Sequence, residues 1–413
     1  MDVIVVGAGA AGLWAAATAA RSGCRVLLLE KTSRAGSKVL ASGGSRCNLT
    51  TTLGPDPAAR LFGAAERFVQ PAFRALPPDT VRQRFLEWGV PTVTEPHLEK
   101  VFPASQRAID VRDALLREAL RAGVTVRYDC AVRELEPTPS GWVVHAQQAF
   151  GCDRLMICPG GRSYPKTGTT GDGYSWLRTL GLEVVTPVPA LVPLTSDEPW
   201  VHALTGIAVQ EVEARLHDPC DRILARRARP VVFTHTGISG PGAMDLSAPV
   251  ARAALSGSTA GWTLALDLLP HVEQEKLRAE LLEAAGRPGG PHLARVIGER
   301  IPARLLAAVT RQAGIEDDNP PLNRVDRKAR NKLVDALKGL RVPISGTLGW
   351  DKAEVTAGGL ALSEVERTTM RVKKYPHLWA FGEILDMSGP IGGLSFQAAF
   401  ATGELAGRSV ANS

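Results

Sequence analysis

Apolar and polar positions near the start of the chain fall into three short blocks. Residues 2–6 read DVIVV, a run of apolar, β-branched side chains, which is typical of a parallel strand buried on both faces. Small apolar residues from Leu13 to about Ser22 predict a tightly packed helix, and residues 25–29 predict a second strand. Strand, helix and strand in this order predict a βαβ unit of an α/β fold.

The turn between the first strand and the helix has the spacing G-x-G-x-x-G. Gly7 permits a tight turn, Gly9 lets the backbone approach a pyrophosphate, and Gly12 allows close packing of helix on strand. The helix N-terminus favours phosphates, and Glu30, at the end of the second strand, can accept hydrogen bonds from a ribose. A dinucleotide site is therefore predicted, with an ordinary glycine-rich turn as the alternative. Its predicted residues are Gly7, Gly9, Ala10, Ala11, Gly12, Glu30 and Lys31.

A second apolar run near the other end of the chain leads into a Gly-acid pair. Residues 378–381 predict a strand, and after a glycine-rich turn the spacing from Leu394 to about Gly407 predicts a helix. The acid can bind a ribityl hydroxyl, and the helix N-terminus can stabilise negative charge on a reduced flavin. Because a bare NAD domain needs no such segment, the pattern predicts FAD, bound between both ends of the chain; a plain glycine-rich loop is the alternative. The residues are Gly382, Glu383, Asp386 (which can instead cap its own turn), Gly392, Gly393, Leu394 and Ser395.

Five segments in order along the chain resemble the BaiN/YhiN-like flavoproteins, the aminoacetone oxidase family of FAD-binding enzymes. They are residues 38–50 (KVLASGGSRCNLT), 159–173 (PGGRSYPKTGTTGDG), 233–241 (FTHTGISGP), 355–360 (VTAGGL) and 382–403 (GEILDMSGPIGGLSFQAAFATG). The resemblance implies an FAD domain, a β-barrel-like domain and a helical domain. It also implies activities that include amine oxidation, steroid double-bond reduction and uridine reduction in ribosomal RNA. The chain departs from the family at Ser45, usually Gly, at Ser395, usually Asn, and near residues 371–373, usually a Glu-Ser-Lys run.

The predicted architecture is a discontinuous Rossmann-like FAD-binding domain, residues 1–187 and 349–413, with an insertion. Residues 188–272 and 341–348 are predicted to form a β-barrel-like, β-rich domain, because β-branched residues there are separated by turns at 217–219 and 257. Residues 273–340 are predicted to form a helical domain, because apolar residues recur at helical spacing. Its helices are predicted over 276–285, 294–301, 303–313 and 327–337.

A polar, glycine-rich loop follows the second strand and can lie against a flavin ring. Arg46 and Asn48 can hydrogen-bond flavin or substrate, and Lys38 can neutralise phosphate or the N1/O2 edge of the flavin. Cys47 is either a redox-active thiol or, as we favour, a small buried side chain, since it has no nearby resolving cysteine. The cofactor-binding residues predicted here and beyond are Lys38, Ser42, Gly43, Gly44, Arg46, Cys47, Asn48, Val132, Gly160 and Gly161.

Three residues are candidates for catalysis: His235, Tyr164 and Cys47. His235 lies in the inserted region, where a substrate pocket could form, and an imidazole titrates near neutrality. A structural histidine that bonds the backbone of its turn is the alternative. Tyr164 is a candidate proton donor, and with Lys166 it follows a glycine pair that could line the same cleft.

The charge and the cysteines of the chain limit the compartment and the binding partners that it can have. The six cysteines form no C-x-x-C pair, which favours a reducing, cytoplasmic compartment and argues against a metal site. The charge-free run from Val3 to Ala20 is broken by glycines, so we interpret it as a βα unit and expect no membrane partner. The net charge of +6 includes basic clusters at residues 222–229 and 324–332. These are either solvated helix faces or an RNA-binding surface.

Three functions remain open from the sequence. The first is an FAD-dependent oxidoreductase that transfers hydride between flavin and a small or medium-sized organic substrate. Because no second G-x-G-x-x-G follows a strand, NAD(P)H must dock transiently at the flavin, or electrons must come from the substrate. The second is an RNA-modifying flavoenzyme that reduces uridine in ribosomal RNA, and the third is a non-catalytic flavin redox sensor. The pattern predicts no oligomeric state.

Overall fold

The computed structural model describes residues 1–95 and 99–413, and the backbone divides into two compact units. The larger unit comprises Met1–Pro189 and Ala353–Ser413, and the smaller unit comprises Ala190–Lys352. The observed divisions therefore lie two and four residues from the predicted ends at 187 and 349.

The first part of the chain, up to the smaller unit, alternates strands and helices. Its elements are β1 (Val3–Val6), α1 (Ala10–Arg21), β2 (Val26–Leu29), α2 (Ser37–Ala41), β3 (Thr50–Thr51), α3 (Pro55–Arg60), α4 (Glu66–Ala75), α5 (Pro78–Glu87), β4 (Thr92–Glu95), β5 (Lys100–Pro103), α6 (Ala108–Arg121), β6 (Thr125–Arg127), β7 (Glu134–Thr138), β8 (Gly141–His145), β9 (Ala149–Cys152), β10 (Arg154–Ile157), α7 (Asp172–Thr179) and β11 (Val184–Ala190).

The smaller unit has strands first and most of its helices later, and the chain then returns to the larger unit. The elements of the smaller unit are β12 (Leu194–Thr195), α8 (Pro199–His202), β13 (Ala208–Val209), β14 (Glu213–His217), β15 (Ile223–Ala228), β16 (Val231–Thr234), β17 (Gly237–Ser239), α9 (Pro241–Met244), α10 (Ser247–Leu255), β18 (Thr263–Asp267), α11 (Gln274–Gly286), α12 (Leu293–Ile297), α13 (Ala303–Gln312), α14 (Arg327–Lys338), β19 (Leu340–Pro343) and β20 (Gly346–Thr347). Those of the return are β21 (Val355–Leu360), β22 (Leu378–Ala380) and α15 (Leu394–Ala411).

A five-stranded parallel sheet forms the centre of the larger unit, in the order β22-β10-β1-β2-β6. The residues of β1 and β2 are all buried, as expected for a sheet covered on both faces. Val6 is level with Ile157 on one side and with Leu29 on the other. Parallel strands end at the same edge, so the segments after β1, β2, β10 and β22 meet there. The predicted α/β fold class is confirmed.

Helix α15 packs closely on α1 because two glycines of α15 face the backbone of α1. A Cβ atom added at Gly403 would lie 2.7 Å from the backbone oxygen of Ala11, and one at Gly407 would lie 2.7 Å from that of Ala15. Side chains other than hydrogen at these two positions would push the helices apart. The end of the chain is thereby held against the first helix.

A buried carboxylate adds a polar link between the same two helices. Glu404 on α15 accepts hydrogen bonds from Trp14 Nε1 (2.7 Å) and Thr18 Oγ1 (2.9 Å), and it pairs with Arg408 (2.7 Å). Burial disfavours the charged carboxyl group, but these partners outweigh it and hold the pKa of Glu404 below its ordinary value. The link therefore stays charged at neutral pH.

The smaller unit contains two antiparallel sheets, in the orders β13-β16-β17-β12-β20 and β15-β14-β18-β19. Helices α11 to α14 share an apolar core with these sheets. The predicted helix over 294–301 is wrong in its second half, because α12 ends at Ile297 and Gly298 takes a φ of +49°. Within the described ranges no helix combines the length and apolarity needed to cross a bilayer.

Close packing of α15 on α1 gives a stability prediction. Gly403→Leu should destabilise the larger unit by about 1–3 kcal/mol through overpacking. Chemical denaturation measures the loss. Gly286→Ala is the control, because an added Cβ there meets no atom within 4 Å. Its stability should stay the same or rise by up to about 1 kcal/mol, because alanine is favoured over glycine in a helix. A loss equal to that of Gly403→Leu would contradict the packing argument.

Candidate cofactor site and active-site residues

The three glycines after β1 have different surroundings. Gly7 has a φ of +108°, and an added Cβ would lie 2.6 Å from the backbone oxygen of Cys158. At Gly12 an added Cβ would lie 1.9 Å from the backbone oxygen of Gly7. At Gly9, by contrast, it would meet no atom within 4 Å. The backbone at Gly9, directly before α1, thus offers open space to an anion.

The carboxylate of Glu30 is held at the end of β2. Its Oε2 accepts a hydrogen bond from Ala8 N (2.9 Å), and its Oε1 accepts from Thr32 N (2.8 Å) and Thr32 Oγ1 (2.7 Å). Each carboxylate oxygen can accept two hydrogen bonds, so Oε2 retains an acceptor position. This carboxylate therefore fits the hydroxyl groups of an adenosine ribose.

A cluster of polar groups surrounds Glu383, directly after β22. Lys38 Nζ donates to both carboxylate oxygens (2.6 and 2.8 Å), and Ser163 Oγ (2.8 Å) and Thr356 N (2.9 Å) donate to Oε1. Burial disfavours the charged form, but Lys38 and these hydrogen bonds outweigh it and hold the pKa of Glu383 below its ordinary value. We call Glu383, Lys38, Ser163 and Thr356 the Glu383 cluster.

Gly161 leaves room for this cluster. An added Cβ there would lie 2.2 Å from Thr356 Oγ1 and 3.0 Å from Glu383 Oε1. The neighbouring Gly160 has a φ of +81° and lies against Thr169. Both glycines of the predicted pair are thus required by packing and backbone conformation.

The ammonium group of Lys38 is fully engaged. Its three N–H bonds point to Ser163 Oγ (2.5 Å) and to the two oxygens of Glu383. The sequence predicts Lys38 at a phosphate or at the flavin N1/O2 edge. These three contacts are all with protein groups, and the two predicted contacts of Lys38 stay predictions.

The loop from Gly160 to Gly173 joins two of the strand ends. Lys31 Nζ, just after β2, donates to Asp172 Oδ2 (2.7 Å) and Thr170 Oγ1 (2.6 Å). At the other end of the loop, Ser163 belongs to the Glu383 cluster. The loop therefore connects the ends of β2 and β22, and Lys31 serves as its anchor.

The predicted flavin loop after α2 has a strained backbone. Gly43, Gly44, Ser45 and Cys47 have φ values of +53°, +65°, +66° and +61°. Cys47 is fully buried, and burial raises the pKa of its thiol to about 12. The thiol is therefore protonated at neutral pH, which favours the small buried side chain over the redox-active thiol.

Arg46 and Asn48 in the same loop already have protein partners. The Arg46 guanidinium lies 4.3 Å from the centre of the Phe102 ring and 3.4 Å from Glu95. Asn48 Oδ1 accepts a hydrogen bond from Val101 N (3.2 Å). These contacts fix the loop on β5, and the predicted contacts to flavin or substrate stay predictions.

Tyr164 follows Ser163 and has a φ of +52°. Its side chain is half-buried. Burial raises the pKa of its hydroxyl, and Glu354 raises it further. Tyr164 directly follows Ser163 of the Glu383 cluster in the chain, whereas Lys166 is exposed.

His235 lies in the smaller unit, at the exposed turn between β16 and β17. In the part of the chain that the structure describes, its imidazole has no hydrogen-bond partner. The alternative of a structural histidine bonded to its turn is thus not observed. The glycines near it are packed, since added Cβ atoms at Gly237 and Gly240 would lie 2.2 and 2.9 Å from backbone oxygens.

The other predicted residues differ in their burial and in their contacts. Asp386 Oδ1 accepts from Gly358 N in β21 (3.0 Å). An added Cβ at Gly393 would lie 2.1 Å from the backbone oxygen of Thr50. The remaining ones are Ser42, which donates to Val39 O, Val132 and Leu394, which are buried, Gly392, with a φ of +148°, and Ser395, which is exposed.

Sequence reasoning missed Ser163, Thr356 and Tyr174. The first two are polar residues inside the glycine-rich segments 159–173 and 355–360. Their position beside predicted strand ends could have identified them as candidate site residues. The Tyr174 hydroxyl is buried without a hydrogen-bond partner among the described residues. Its pKa is raised by burial and by the nearby Glu383.

Comparison with known proteins gives whole-length matches. The family described as HI0933-like protein Rossmann domain matches residues 1–409. A ribosomal RNA dihydrouridine synthase of Escherichia coli K12 is 31% identical over 97% of this chain and 96% of its own. A 3-dehydro-bile acid delta(4,6)-reductase of Clostridium scindens is 28% identical over 98% of each chain. The structure of 3-ketosteroid delta1-dehydrogenase from Sterolibacterium denitrificans superposes with a TM-score of 0.51 at 15% identity, covering 100% of this chain and 99% of that one.

The strained loop gives a second stability prediction. Ser45→Gly should stabilise the larger unit by about 0.5–1 kcal/mol, because a non-glycine residue with this φ costs about 1–2 kcal/mol and the added freedom of the unfolded chain removes part of the gain. Ser22→Gly is the control, since Ser22 has an ordinary φ of −89° and should lose stability on the same change. Denaturation curves that shift in the same direction for both variants would contradict the strain.

Proposed function

We propose that this chain, which belongs to the HI0933-like family and is an FAD-dependent oxidoreductase, reduces a carbon–carbon double bond conjugated with a carbonyl group. One observation carries the proposal, and it is the names of two whole-length relatives. One is named for a product in which such a double bond has been reduced, and the other is named for a substrate that contains such a double bond. Dihydrouridine is uridine with two hydrogens added across a ring double bond next to a carbonyl. A 3-dehydro-bile acid with delta(4,6) double bonds is a conjugated ketone.

The residues at the sheet edge fit FAD. When bound and reduced by two electrons, FAD would supply the hydride of the reaction. In our proposal the open backbone at Gly9 and the N-terminus of α1 bind the pyrophosphate. Glu30 accepts from the adenosine ribose and Glu383 accepts from the ribityl chain. These groups follow strands of one sheet, so their spacing is fixed before any cofactor binds.

Tyr164 is the proton donor in this proposal. Hydride addition to one carbon of a conjugated double bond requires a proton at the neighbouring carbon. The raised pKa of Tyr164 keeps its hydroxyl protonated at neutral pH. Its left-handed backbone is a strain of the kind found at functional sites. Because the side chain is half-buried, solvent can restore the proton.

A nicotinamide nucleotide is the proposed electron donor and docks transiently at the flavin. The glycine-rich segment of the smaller unit reads GISGPG from Gly237 to Gly242, so it lacks the G-x-G-x-x-G spacing of a turn that would hold a resident NAD(P)H. All six cysteines are free thiols, which supports a reducing, cytoplasmic setting.

Anaerobic stopped-flow absorbance tests the reaction. Flavin reduced by light should be reoxidised by a 4-en-3-one steroid or by cyclohexenone, and not by the saturated ketones. Tyr164→Phe should slow this step roughly 100-fold, as expected for loss of a general acid, while NADPH reduces the flavin at the wild-type rate. Reoxidation by oxygen alone would contradict the proposed reaction, and an unchanged rate in Tyr164→Phe would exclude this proton donor.

RNA is a second candidate substrate, favoured by a basic surface on and beside α14. Arg324, Arg327, Lys328 and Lys332 are exposed, and no carboxylate pairs with them among the described residues. Most other exposed arginines of the smaller unit are paired, such as Arg287 with Glu283. Four unpaired cations on one surface fit a phosphate backbone.

Salt dependence tests the basic surface. Binding to a ribosomal RNA transcript should weaken steeply with salt, and the triple variant Arg324→Gln/Arg327→Gln/Lys328→Gln should lower the slope by about one per lost phosphate contact. The control removes three cations that are paired with carboxylates, Arg278→Gln/Arg287→Gln/Arg311→Gln. Equal slopes for both triple variants would show that only net charge matters and would contradict an RNA-binding surface.

A further inference from the structure

We infer that Lys38 is a positioning residue that acts through Glu383: it holds this carboxylate charged and oriented for the ribityl chain, and it binds neither phosphate nor the flavin ring. The inference rests on the FAD site of the proposed function and is independent of the substrate. It assigns to Lys38 a role different from both roles that the sequence predicts.

The hydrogen bonds of Lys38 support this assignment first. Two of the three N–H bonds are used on Glu383 and the third on Ser163, which itself donates to Glu383. A lysine that served a phosphate would need at least one N–H bond for it. Lys38 and Ser163 instead bond to each other and to the carboxylate of Glu383.

The position of Lys38 is fixed by its helix. Helix α2 begins after Gly36, which has a φ of +69°. An added Cβ at Gly36 would lie 2.6 Å from Arg112 Cγ on α6, so the start of α2 lies directly against that helix. The short helix is therefore anchored, and Lys38 points from an anchored backbone to the end of β22.

The surroundings of Glu383 make a cation necessary. The groups that face it are Ser163 from the loop after β10, Thr356 from β21, Tyr174 from α7 and Lys38 from α2. Asp386 lies three residues along the same segment. Among the described residues in hydrogen-bonding contact with Glu383, Lys38 supplies the positive charge. Without it, a half-buried carboxyl group takes up a proton more readily.

The charge state matters for FAD because it sets the number of acceptor positions. A carboxylate offers acceptor positions on both oxygens, whereas a protonated carboxyl group turns one oxygen into a donor. Loss of Lys38 should therefore make FAD affinity depend on pH. The affinity should fall as pH falls through the raised pKa of Glu383, and it should recover at higher pH.

A double-mutant cycle on FAD affinity tests the inference. The dissociation constant of FAD is measured by flavin fluorescence at about pH 5, close to the ordinary range of carboxyl groups, and at about pH 8.5, well above it. Wild-type affinity should be nearly constant, and Lys38→Met should bind about tenfold more weakly at the lower pH than at the higher one. Glu383→Gln should remove that pH dependence, and Lys38→Met/Glu383→Gln should bind no more weakly than Glu383→Gln.

The opposite result identifies a direct ligand of FAD. If Lys38→Met weakens FAD binding by the same factor with Glu or Gln at position 383, and at both pH values, Lys38 acts on FAD itself and the inference is wrong. Lys38→Arg should restore a pH-independent affinity, because a guanidinium can also bridge the carboxylate. If Lys38→Met does not fold, Lys38→Gln takes its place in the cycle.

Lys338 provides the matched control. It too is a lysine paired with a buried carboxylate, Asp267 at 2.8 Å, but it lies in the smaller unit, outside the Glu383 cluster and the loop from Gly160 to Gly173. Lys338→Met should therefore combine additively with Glu383→Gln. The cycle contains no substrate, so its failure would leave the proposed reductase activity standing, and failure of that activity would leave the cycle interpretable.

Discussion

The close contact between α15 and α1 is the constraint on which the site depends. Glycines at the contact bring the last helix within reach of the first, and the buried carboxylate of Glu404 bonds to side chains of α1. Gly382 N is in turn bonded to Thr402 Oγ1 on α15 (3.2 Å). This bond places the segment after β22 beside the turn after β1. Two distant parts of the chain thereby form one binding edge.

At that edge, buried charge is tolerated because each charged group is paired or hydrogen-bonded. Desolvation raises the pKa of Glu383, but Lys38 together with neutral donors outweighs it and keeps this pKa below its ordinary value. The loop from Gly160 to Gly173 links this cluster to Lys31 at the end of β2. One loop therefore couples the part of the edge suited to the adenosine ribose to the part suited to the ribityl chain. Tyr164 gains its position from the same loop.

The sequence was sufficient where function depends on local spacing. Each of three features is a pattern within one short stretch of sequence: the turn after β1, the acid at Glu30 and the Gly-acid pair after β22. Together these patterns predicted the fold class and FAD. The partner of Lys38 was not predictable, because spacing carries no information on a contact between residues so far apart in the chain. The helix predicted through Gly298 failed because apolar spacing alone does not show a glycine with positive φ.

The location of FAD is the measurement that tests this account most directly. A crystal structure of the protein reconstituted with FAD should show the pyrophosphate at Gly9, the adenosine ribose at Glu30 and the ribityl chain at Glu383, with Lys38 still on that carboxylate. FAD bound away from the edge formed by β1, β2, β10 and β22, or no FAD on a correctly folded chain, would contradict the claim that both ends of the chain build one flavin site.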